Sequence, residues 1–280
     1  MTKKRNLSND SITHIEKKGI EYIQFNHLNK YANIVSHCFS TRIGGVSSGH
    51  FSTLNIGINS DDLKQNIEEN YRRLCKTVGI NNENTVFSKQ VHGTNIVTIT
   101  SDNANNFRSG DREECDGFIT REKNIALVTV YADCVPIFLF DPVKKIIALV
   151  HSGWRGTVSK IADKAVQKMI DIYNCNPEDI LAGIGPSIGE CCFEVDVDTA
   201  NMFREAFVDC SDIINQYKNK ADKFTINLWE CNKSILAKCG LMPDNINIAG
   251  ICTVCNNDLF FSHRASNGQK GRNAAIMQLI

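Results

Sequence analysis

The sequence predicts a single α+β domain in which strands and helices are mixed rather than strictly alternating. Three short runs rich in Val, Ile, Leu and Phe, at residues 125–130, 135–140 and 146–150, are bounded by turn residues and predict buried strands. Helical periodicity at residues 61–78 and 158–173 predicts amphipathic helices. The 280 residues contain no internal repeat, Pro-rich linker or shift in composition, so we expect one domain over residues 1–280.

The other elements follow from the same patterns. Further strands are predicted at 20–25, 34–39, 86–89, 95–100, 116–119, 180–184, 246–251 and from 260, and further helices at 198–207 and 228–239. The polar residues 1–13 are expected to be disordered. A loop dense in Gly, Ser and Thr occupies residues 36–57, and long loops inside compact domains are usually functional. The apolar C-terminal segment GRNAAIMQLI is expected to pack back on the domain.

The composition is that of an ordinary soluble protein, with 42% hydrophobic and 22% charged residues. The formal net charge is zero, so we expect neither nucleic acid nor an anionic membrane as a partner. No apolar run approaches the roughly 20 residues that span a bilayer, and the N-terminus lacks the apolar segment of a signal peptide. We therefore expect a cytoplasmic protein whose 12 cysteines are reduced thiols rather than structural disulfides.

Two chemically capable residues stand at the ends of the predicted central strands. Cys134 follows the first apolar run, and His151 follows the third. If the second and third runs form a hairpin about residues 141–142, Val135 lies near Val150. That pairing places Cys134 beside His151 at one edge of the sheet. A thiolate beside an imidazole indicates a metal site or a Cys–His nucleophile pair, whereas a cysteine beside a strand more often serves packing alone.

A third candidate ligand is His92 in the segment QVHG, which also lies at a predicted strand end beside a glycine. Two imidazoles and one thiolate suit zinc with an open fourth position, as in catalytic rather than structural zinc sites. Gly153 and Gly156 flank Trp154 and Arg155 in HSGWRG, and small residues there allow a backbone to approach a ligand closely.

The remaining cysteines have weaker patterns. Cys252 and Cys255 form a CxxC motif, but no second pair follows at the spacing of a zinc ribbon. We therefore expect a packed, reduced pair that forms neither a disulfide nor a second metal site. Core packing is also the expected role of Cys191 and Cys192.

Several cationic residues are candidates for the site. Arg42 in the STRIGG loop and Arg155 in GWRG are possible anion donors, and the start of the helix that follows would assist Arg155. Surface salt bridges are the alternative for both. His263 and Arg264 either line a pocket or cap the sheet, and Lys89 is either a solvated charge or a site cation.

An ordered set of segments resembles the multicopper polyphenol oxidase (laccase-like) family, whose members are also called purine nucleoside phosphorylases or peptidoglycan editing factors. The segments are FSTRIGGVSSGHFSTLNIG, QVHG, ADCVPIFLFDP, HSGWRG, GIGPSIGECCFEV and ICTVCNNDLFFSHR…GR, which extend from Phe39 to Arg272. They cover nearly the whole chain, and as an ordered set they are highly specific. Two positions depart from the family pattern: Ser152 replaces the usual Ala of HAGWRG, and Ala265 replaces an Arg often found after SHR.

The resemblance implies that His92, Cys134 and His151 are metal ligands and catalytic residues that bind one zinc per chain. It implies a mixed α+β fold of layered sheets covered by helices, an αββα arrangement related to a Cys–His hydrolase fold. It also implies phosphorolysis of adenosine, inosine, guanosine and methylthioadenosine, and deamination of adenosine. A purine nucleoside and phosphate are then the expected small-molecule partners.

Phosphorolysis requires fixed donors that hold a phosphate next to the ribose. Arg42 and Arg155 are the candidates, and Asn55 in STLN either hydrogen-bonds the substrate or stabilises a turn. Zinc lowers the pKa of a bound water to about 7, which suits attack of water on the purine during deamination. Because deamination needs no phosphate, we predict that loss of the phosphate donor depresses phosphorolysis more than deamination.

Three alternatives stay open at this point. A metal-free hydrolase with Cys134 as nucleophile and His151 as base would edit peptidoglycan precursors, and the metal content distinguishes it. A copper-dependent polyphenol oxidase needs many histidine ligands for several coppers, and the chain has seven scattered histidines. A non-catalytic binding module would hold a ligand without turning it over.

Overall fold

The computed structural model describes residues 6–58, 60–108, 112–207, 213–217, 220, 222–269 and 271–280, and within these ranges the chain forms two six-stranded β-sheets and one three-stranded sheet. The strands are β1 (Ile12–Lys17), β2 (Ile20–Phe25), β3 (Val35–Ser40), β4 (Thr85–Phe87), β5 (Ile96–Ile99), β6 (Gly117–Thr120), β7 (Ala126–Tyr131), β8 (Val135–Asp141), β9 (Ile146–Ser152), β10 (Leu181–Ile184), β11 (Glu194–Asp196), β12 (Ile214–Gln216), β13 (Lys223–Ile226), β14 (Ile246–Ile248) and β15 (Asn273–Leu279). The helices are α1 (Asn26–Asn29), α2 (Lys64–Val78), α3 (Trp154–Val158), α4 (Ile161–Tyr173), α5 (Val197–Ala206) and α6 (Leu228–Lys238).

The first large sheet has the strand order β1-β2-β3-β15-β7-β4, and the second has the order β14-β10-β8-β9-β6-β5. The small sheet has the order β11-β13-β12. The C-terminal segment does more than pack back on the domain, because β15 is inserted between β3 and β7 with all seven of its residues buried. Apolar side chains along its whole length are what a strand covered on both faces requires.

The two large sheets stack face to face, and helices cover their outer faces. Between the sheets, the rings of Phe25 in β2 and Phe138 in β8 meet edge to face with centroids 5.6 Å apart. On the outer face of the first sheet, α2 buries Ile67 and Leu74. On the outer face of the second sheet, α4 and α6 pack their apolar sides against β8, β9 and β10. This arrangement confirms the predicted α+β fold of layered sheets covered by helices.

The predicted hairpin forms, but its register differs by two residues. β8 and β9 are antiparallel, and Val135 pairs with Ser152 rather than lying opposite Val150. The strand pairing extends as far as Asp141, so the turn occupies residues 142–145. The Asp141 carboxylate stabilises this turn because it accepts the backbone N–H groups of Val143 and Lys144. In addition, β7 belongs to the other sheet, so the three apolar runs are divided between two layers.

Several boundaries also differ from the sequence-based expectations. Residues 1–5 lie outside the described residues, but β1 begins at Ile12, whose backbone N–H donates to the Asn9 side chain, so the segment expected to be disordered is ordered there. The helix α2 begins three residues late because the backbone of Leu63 is extended, and the Leu63 side chain, expected on the buried face, is 68% exposed. The helix expected at 158–173 begins at Ile161, because Lys160 before it has a left-handed backbone conformation, and a separate helix, α3, ends at Val158. No strand begins at Phe260.

Among the described residues, no helix has both the length and the apolar composition that crossing a membrane requires.

Candidate functional site

Three side chains from separate segments converge at one end of the stacked sheets. The candidate ligand atoms of His92, Cys134 and His151 all lie within 4.8 Å of one another. Cys134 lies where the chain crosses from β7 in the first sheet to β8 in the second, and His151 lies in β9 opposite Pro136. His92 lies in the loop between β4 and β5. The structure therefore brings together the three residues that the sequence selected.

Backbone and side-chain hydrogen bonds hold the QVHG loop against the sheets. The Gln90 amide exchanges two hydrogen bonds of 2.8 Å with the backbone of Val130, as a neighbouring strand would. The Asp116 carboxylate accepts the backbone N–H groups of His92 at 3.0 Å and Gly93 at 2.7 Å. These bonds stabilise His92 in the left-handed region at φ 61°, which residues other than glycine seldom adopt.

The same carboxylate orients a second ligand. Nδ1 of His151 lies 2.8 Å from Oδ1 of Asp116, and both side chains are buried. Nδ1–H is the donor to the carboxylate, which leaves Nε2 available as a metal ligand, a common arrangement for metal-binding histidines. Burial by itself would raise the pKa of Asp116, but the bond and charge of His151 and the backbone donors lower it. Asp116 is thus an anion at neutral pH.

The sequence analysis did not select Asp116. Its signal was an acidic residue at the start of the strand predicted at 116–119, in the segment CDG. Side chains at such positions are usually surface caps, so the pattern by itself does not indicate a site.

Charge interactions set the protonation of two of the three candidate ligands, Cys134 and His151. Burial would raise the pKa of Cys134, but the charges and hydrogen bonds of His151 and His92 outweigh it and lower the pKa to about 6. Burial would lower the pKa of His151, but the Cys134 thiolate and the Asp116 carboxylate raise it to about 9. Cys134 is therefore a thiolate at neutral pH, the form that binds metals and acts as a nucleophile.

The three candidate ligands line a cavity of about 400 Å³. This volume is within the range of roughly 300–1,000 Å³ that small-molecule sites occupy. The remaining wall residues are Gly57, Ile58, Ser60, Phe87, Ser88, Gln90, Arg112, Val128, Val130, Ala132, His263 and Arg272. The wall thus has an apolar part, formed by Phe87, Val128 and Val130, and it also includes two arginines, Arg112 and Arg272.

The two arginines of the wall were not selected from the sequence. Arg272 is half-buried, and the charges of Cys134 and Asp133 partly offset the lowering of its pKa by burial. Burial also lowers the pKa of Arg112, and its buried Nε has no hydrogen-bond partner in the described part of the chain. Both arginines line the cavity, and among the described residues Arg272 donates through Nη1 to the Gly271 carbonyl.

The arginines selected from the sequence lie outside the cavity wall. Arg42 donates to the backbone carbonyls of Ser52 and Asn257, and its guanidinium lies 4.5 Å from the ring centroid of Phe261. Arg155 is exposed and lies over the Trp154 ring at 4.2 Å. The donors of Arg42 are thus used by its own loop and by the carbonyl of Asn257.

Asn55 stabilises a turn, one of its two expected roles. Its side chain is fully buried, and Nδ2 donates to Ser60 and to Asp62. Oδ1 accepts the backbone N–H groups of Gly57 and Arg272. Asn55 therefore positions Arg272 instead of facing the cavity itself.

The other candidates also have defined places. His263 belongs to the cavity wall, whereas Arg264 donates to the carbonyls of Cys192 and Glu194 and caps a strand end. Lys89 pairs with Glu114 at 3.2 Å on the surface. The cysteines of the described part of the chain form no disulfide, and Cys210 lies outside it.

The chain is similar to known proteins over most of its length. The family described as "Multi-copper polyphenol oxidoreductase laccase" matches residues 36–280. Over 240 residues, the chain is 34% identical to "Purine nucleoside phosphorylase YlmD" of Bacillus subtilis (strain 168), with 84% of each chain covered. Over 259 residues, it is 33% identical to "Purine nucleoside phosphorylase" of Bacteroides thetaiotaomicron, covering 91% of this chain and 95% of that one. The fold is similar to the crystal structure of YlmD from Geobacillus stearothermophilus, with TM-score 0.88, 29% identity, and 97% and 99% of the two chains covered.

Proposed function

The chain belongs to the multi-copper polyphenol oxidoreductase laccase family, and from that premise we propose that it is a zinc-dependent purine nucleoside phosphorylase that also deaminates adenosine. The names of its relatives support a purine nucleoside as substrate. The observation that carries the proposal is a cavity lined by three candidate metal ligands and two arginines. We further propose that residues 1–280 form one catalytic domain in the cytoplasm, where a reactive thiolate stays reduced.

The ligand set fits one zinc ion. A thiolate and two imidazoles are borderline-soft donors, and three protein ligands leave a fourth position open to the cavity. When bound, zinc acts as a Lewis acid and lowers the pKa of a bound water to about 7. Among the described residues, the groups of three or more candidate ligands are this one and a group of four cysteines, and neither supplies the histidines that several coppers need.

We assign the phosphate to Arg272 and Arg112 rather than to Arg42 and Arg155. In phosphorolysis a phosphate oxygen forms a bond to the anomeric carbon of the ribose, while the bond to the purine breaks and the purine leaves with the electron pair. A phosphate next to the sugar requires cationic donors inside the cavity. Arg272 and Arg112 have that location, and Asn55 fixes the backbone of Arg272.

The apolar wall suits the base. Phe87, Val128 and Val130 present carbon atoms to the cavity, and a purine ring removes apolar surface from water when it packs there. The same cavity serves deamination of adenosine, in which water replaces the exocyclic amine and no phosphate takes part.

The test is a nucleoside panel measured with and without phosphate. Adenosine, inosine, guanosine and methylthioadenosine are incubated with the zinc-loaded protein, and the free base, the ribose phosphate ester and ammonia are quantified. We expect free base and sugar phosphate only when phosphate is present, and ammonia from adenosine under both conditions. Cys134→Ala, which lacks a ligand, is the control. Turnover of none of these nucleosides by zinc-loaded protein would refute the proposal.

The geometry also favours a second candidate, a metal-free hydrolase acting on peptidoglycan precursors. The Cys134 thiol contacts His151, and His151 contacts Asp116. A cysteine nucleophile, its histidine base and the carboxylate that orients the base have the same sequence of contacts. Metal content separates the candidates. About one zinc in this site and loss of turnover on chelation support the phosphorylase, whereas full activity of chelated protein on a peptidoglycan precursor supports the hydrolase.

A further inference from the structure

Four cysteines form a cluster on the surface, separate from the three-ligand site. The ligand atoms of Cys191, Cys192, Cys252 and Cys255 all lie within 4.8 Å of one another. The Cys255 sulfur lies 3.6 Å from that of Cys191 and 3.5 Å from that of Cys192. Nothing in the proposed reaction uses these thiols. We call Cys191, Cys192, Cys252 and Cys255 the four-cysteine cluster.

The topology explains why this cluster was not foreseen. The strands β10 and β14 are parallel neighbours, so the loops that follow them leave the same edge of the sheet. The parallel pairing continues beyond the strands, at Ser187 and Cys252. Cys252 and Cys255 of the CxxC motif, which follow β14, therefore lie next to Cys191 and Cys192, which follow β10. These two cysteines supply the second ligand pair that does not occur in the sequence at the spacing of a zinc ribbon. The expectation that no second metal site exists depended on that missing pair.

We propose that the four-cysteine cluster binds a second zinc ion as a tetrahedral tetrathiolate. Four sulfurs at about 2.3 Å from a central zinc lie about 3.8 Å from one another. The sulfur distances of 3.5 and 3.6 Å, with every pair within 4.8 Å, fit such a tetrahedron. A disulfide would instead hold two sulfurs at about 2.05 Å and leave the other two unpaired.

Exposure argues against packing as the role of these thiols. Cys191 and Cys255 are exposed and Cys192 is partly exposed, whereas cysteines that serve packing are typically buried. Cys252 is the buried member of the four. A closed set of four protein ligands is the pattern of structural zinc sites.

The surrounding backbone is adapted to the cluster. Gly189 N–H donates to the Cys252 sulfur at 3.3 Å, which stabilises negative charge on that atom. A Cβ atom at position 189 would lie 3.3 Å from the Cys191 sulfur, so glycine there keeps the space beside the cluster open. The Arg264 guanidinium, bonded to the Cys192 carbonyl at 2.9 Å, brings a positive charge near a tetrathiolate that has two excess negative charges.

A zinc in the cluster would fix the two loops that support the first site. The backbone N–H of Ile188 donates to the Asp133 carbonyl at 2.9 Å, and the Thr253 hydroxyl donates to the Asp133 carboxylate at 2.7 Å. Asp133 has a left-handed backbone at φ 87° and directly precedes the ligand Cys134. The second zinc thus has a structural role, because it joins the loops whose bonds position Asp133.

The decisive experiment is zinc analysis of variants purified without chelators. We expect about two zinc ions per wild-type chain, about one in Cys134→Ala and about one in Cys255→Ser. Cys239→Ser, which changes a cysteine outside both groups, is the matched control and keeps both ions. Cobalt substitution of Cys134→Ala should then show the intense visible absorption of a tetrahedral tetrathiolate. Two zinc ions in Cys255→Ser would overturn the assignment.

A second measurement covers the case in which Cys255→Ser does not fold. Native wild-type protein is treated with an alkylating reagent and the modified cysteines are identified by peptide mass spectrometry. We expect the four-cysteine cluster to resist alkylation until a chelator removes the metal. Free alkylation before chelation, or a disulfide within the cluster in zinc-free fresh protein, would refute the second site. Both outcomes are independent of nucleoside turnover, so failure of the proposed activity is distinguishable from failure of this inference.

Discussion

The Asp116 carboxylate lies 2.8 Å from Nδ1 of His151 and accepts the backbone N–H of His92 through the same oxygen atom. One buried side chain therefore orients two of the three candidate metal ligands, which approach the site from different elements. This carboxylate determines which nitrogen of His151 remains available for the metal.

Asp116→Asn should weaken zinc binding at the three-ligand site by about 10- to 100-fold, the usual effect of removing a carboxylate that supports a metal-binding histidine. Competition with a chromophoric chelator measures the affinity. Asp141→Asn is the control, because Asp141 is also a buried carboxylate that accepts backbone N–H groups, but in the turn after β8. Equal affinities in the wild type and Asp116→Asn would contradict the role assigned to Asp116.

Cys134→Ala should lose the metal of the three-ligand site without unfolding. The side chain is small and lies at a strand end, so the loss of packing is modest compared with the loss of a thiolate ligand. Elemental analysis and circular dichroism give the two readouts, and Cys239→Ala is the matched control. Full zinc content in folded Cys134→Ala would show that the ligand assignment is wrong.

Arg272→Ala should depress phosphorolysis of inosine more than deamination of adenosine. A charge-assisted hydrogen bond is worth about 1.5–3 kcal/mol, which corresponds to roughly ten- to a hundredfold in rate. Arg112→Ala should act in the same direction. Both reactions are measured side by side for each variant.

Arg155→Ala is the matched control for these arginine variants, because Arg155 is exposed and outside the cavity wall. It should leave the ratio of the two rates unchanged. A selective loss of phosphorolysis in Arg155→Ala, with none in Arg272→Ala, would instead assign phosphate binding to Arg155, one of the two arginines selected from the sequence.

Ser152→Ala should lower the free energy of unfolding, even though the family pattern HAGWRG has alanine at this position. The Ser152 hydroxyl bonds to Asn232 and Thr157 at 2.9 Å, and all three side chains are buried. Removing it leaves the Asn232 carbonyl oxygen without this donor, at a cost of about 1–3 kcal/mol. Urea unfolding of Ser152→Ala, Asn232→Ala and the double variant measures the coupling. Strictly additive losses would show that the pair contributes nothing.

Acid should destabilise the fold through His37. Its Nε2 accepts the Phe25 backbone N–H at 2.8 Å, and burial lowers its pKa from about 6.5 to about 3. Below about pH 6.5, His37 binds a proton in the unfolded chain but not in the folded chain. The free energy of unfolding therefore falls as the pH falls from about 6.5 toward 3, by up to about 1.4 kcal/mol per pH unit. His37→Gln keeps an acceptor and should have a smaller slope of unfolding free energy between pH 6 and about 4. Identical slopes would disprove this.

Much of the fold was predictable because hydrophobic periodicity is a local property. The apolar runs of β7, β8 and β9 and the amphipathic stripe of α2 are visible within a few residues of sequence. The three candidate ligands were identified because each lies near the end of a predicted strand and carries its own chemical signal, a histidine or a cysteine beside small or polar residues. The sequence by itself therefore determined the central strands, the four longer helices and the candidate metal chemistry, whereas β1, β11, β12, β13 and β15 were not predicted as strands.

Only the tertiary structure decided how these elements meet. Asp116 and His151 are 35 positions apart, and Cys191 and Cys255 are 64 apart, so their contacts depend on which strands become neighbours. The division of β7 and β8 between two sheets, and the register of β8 against β9, follow from packing between layers and from turn geometry. Arg272 enters the cavity because β15 is inserted into the first sheet. Local sequence carries no signal for these pairings, because their free energy comes from surfaces that are buried together only in the folded chain.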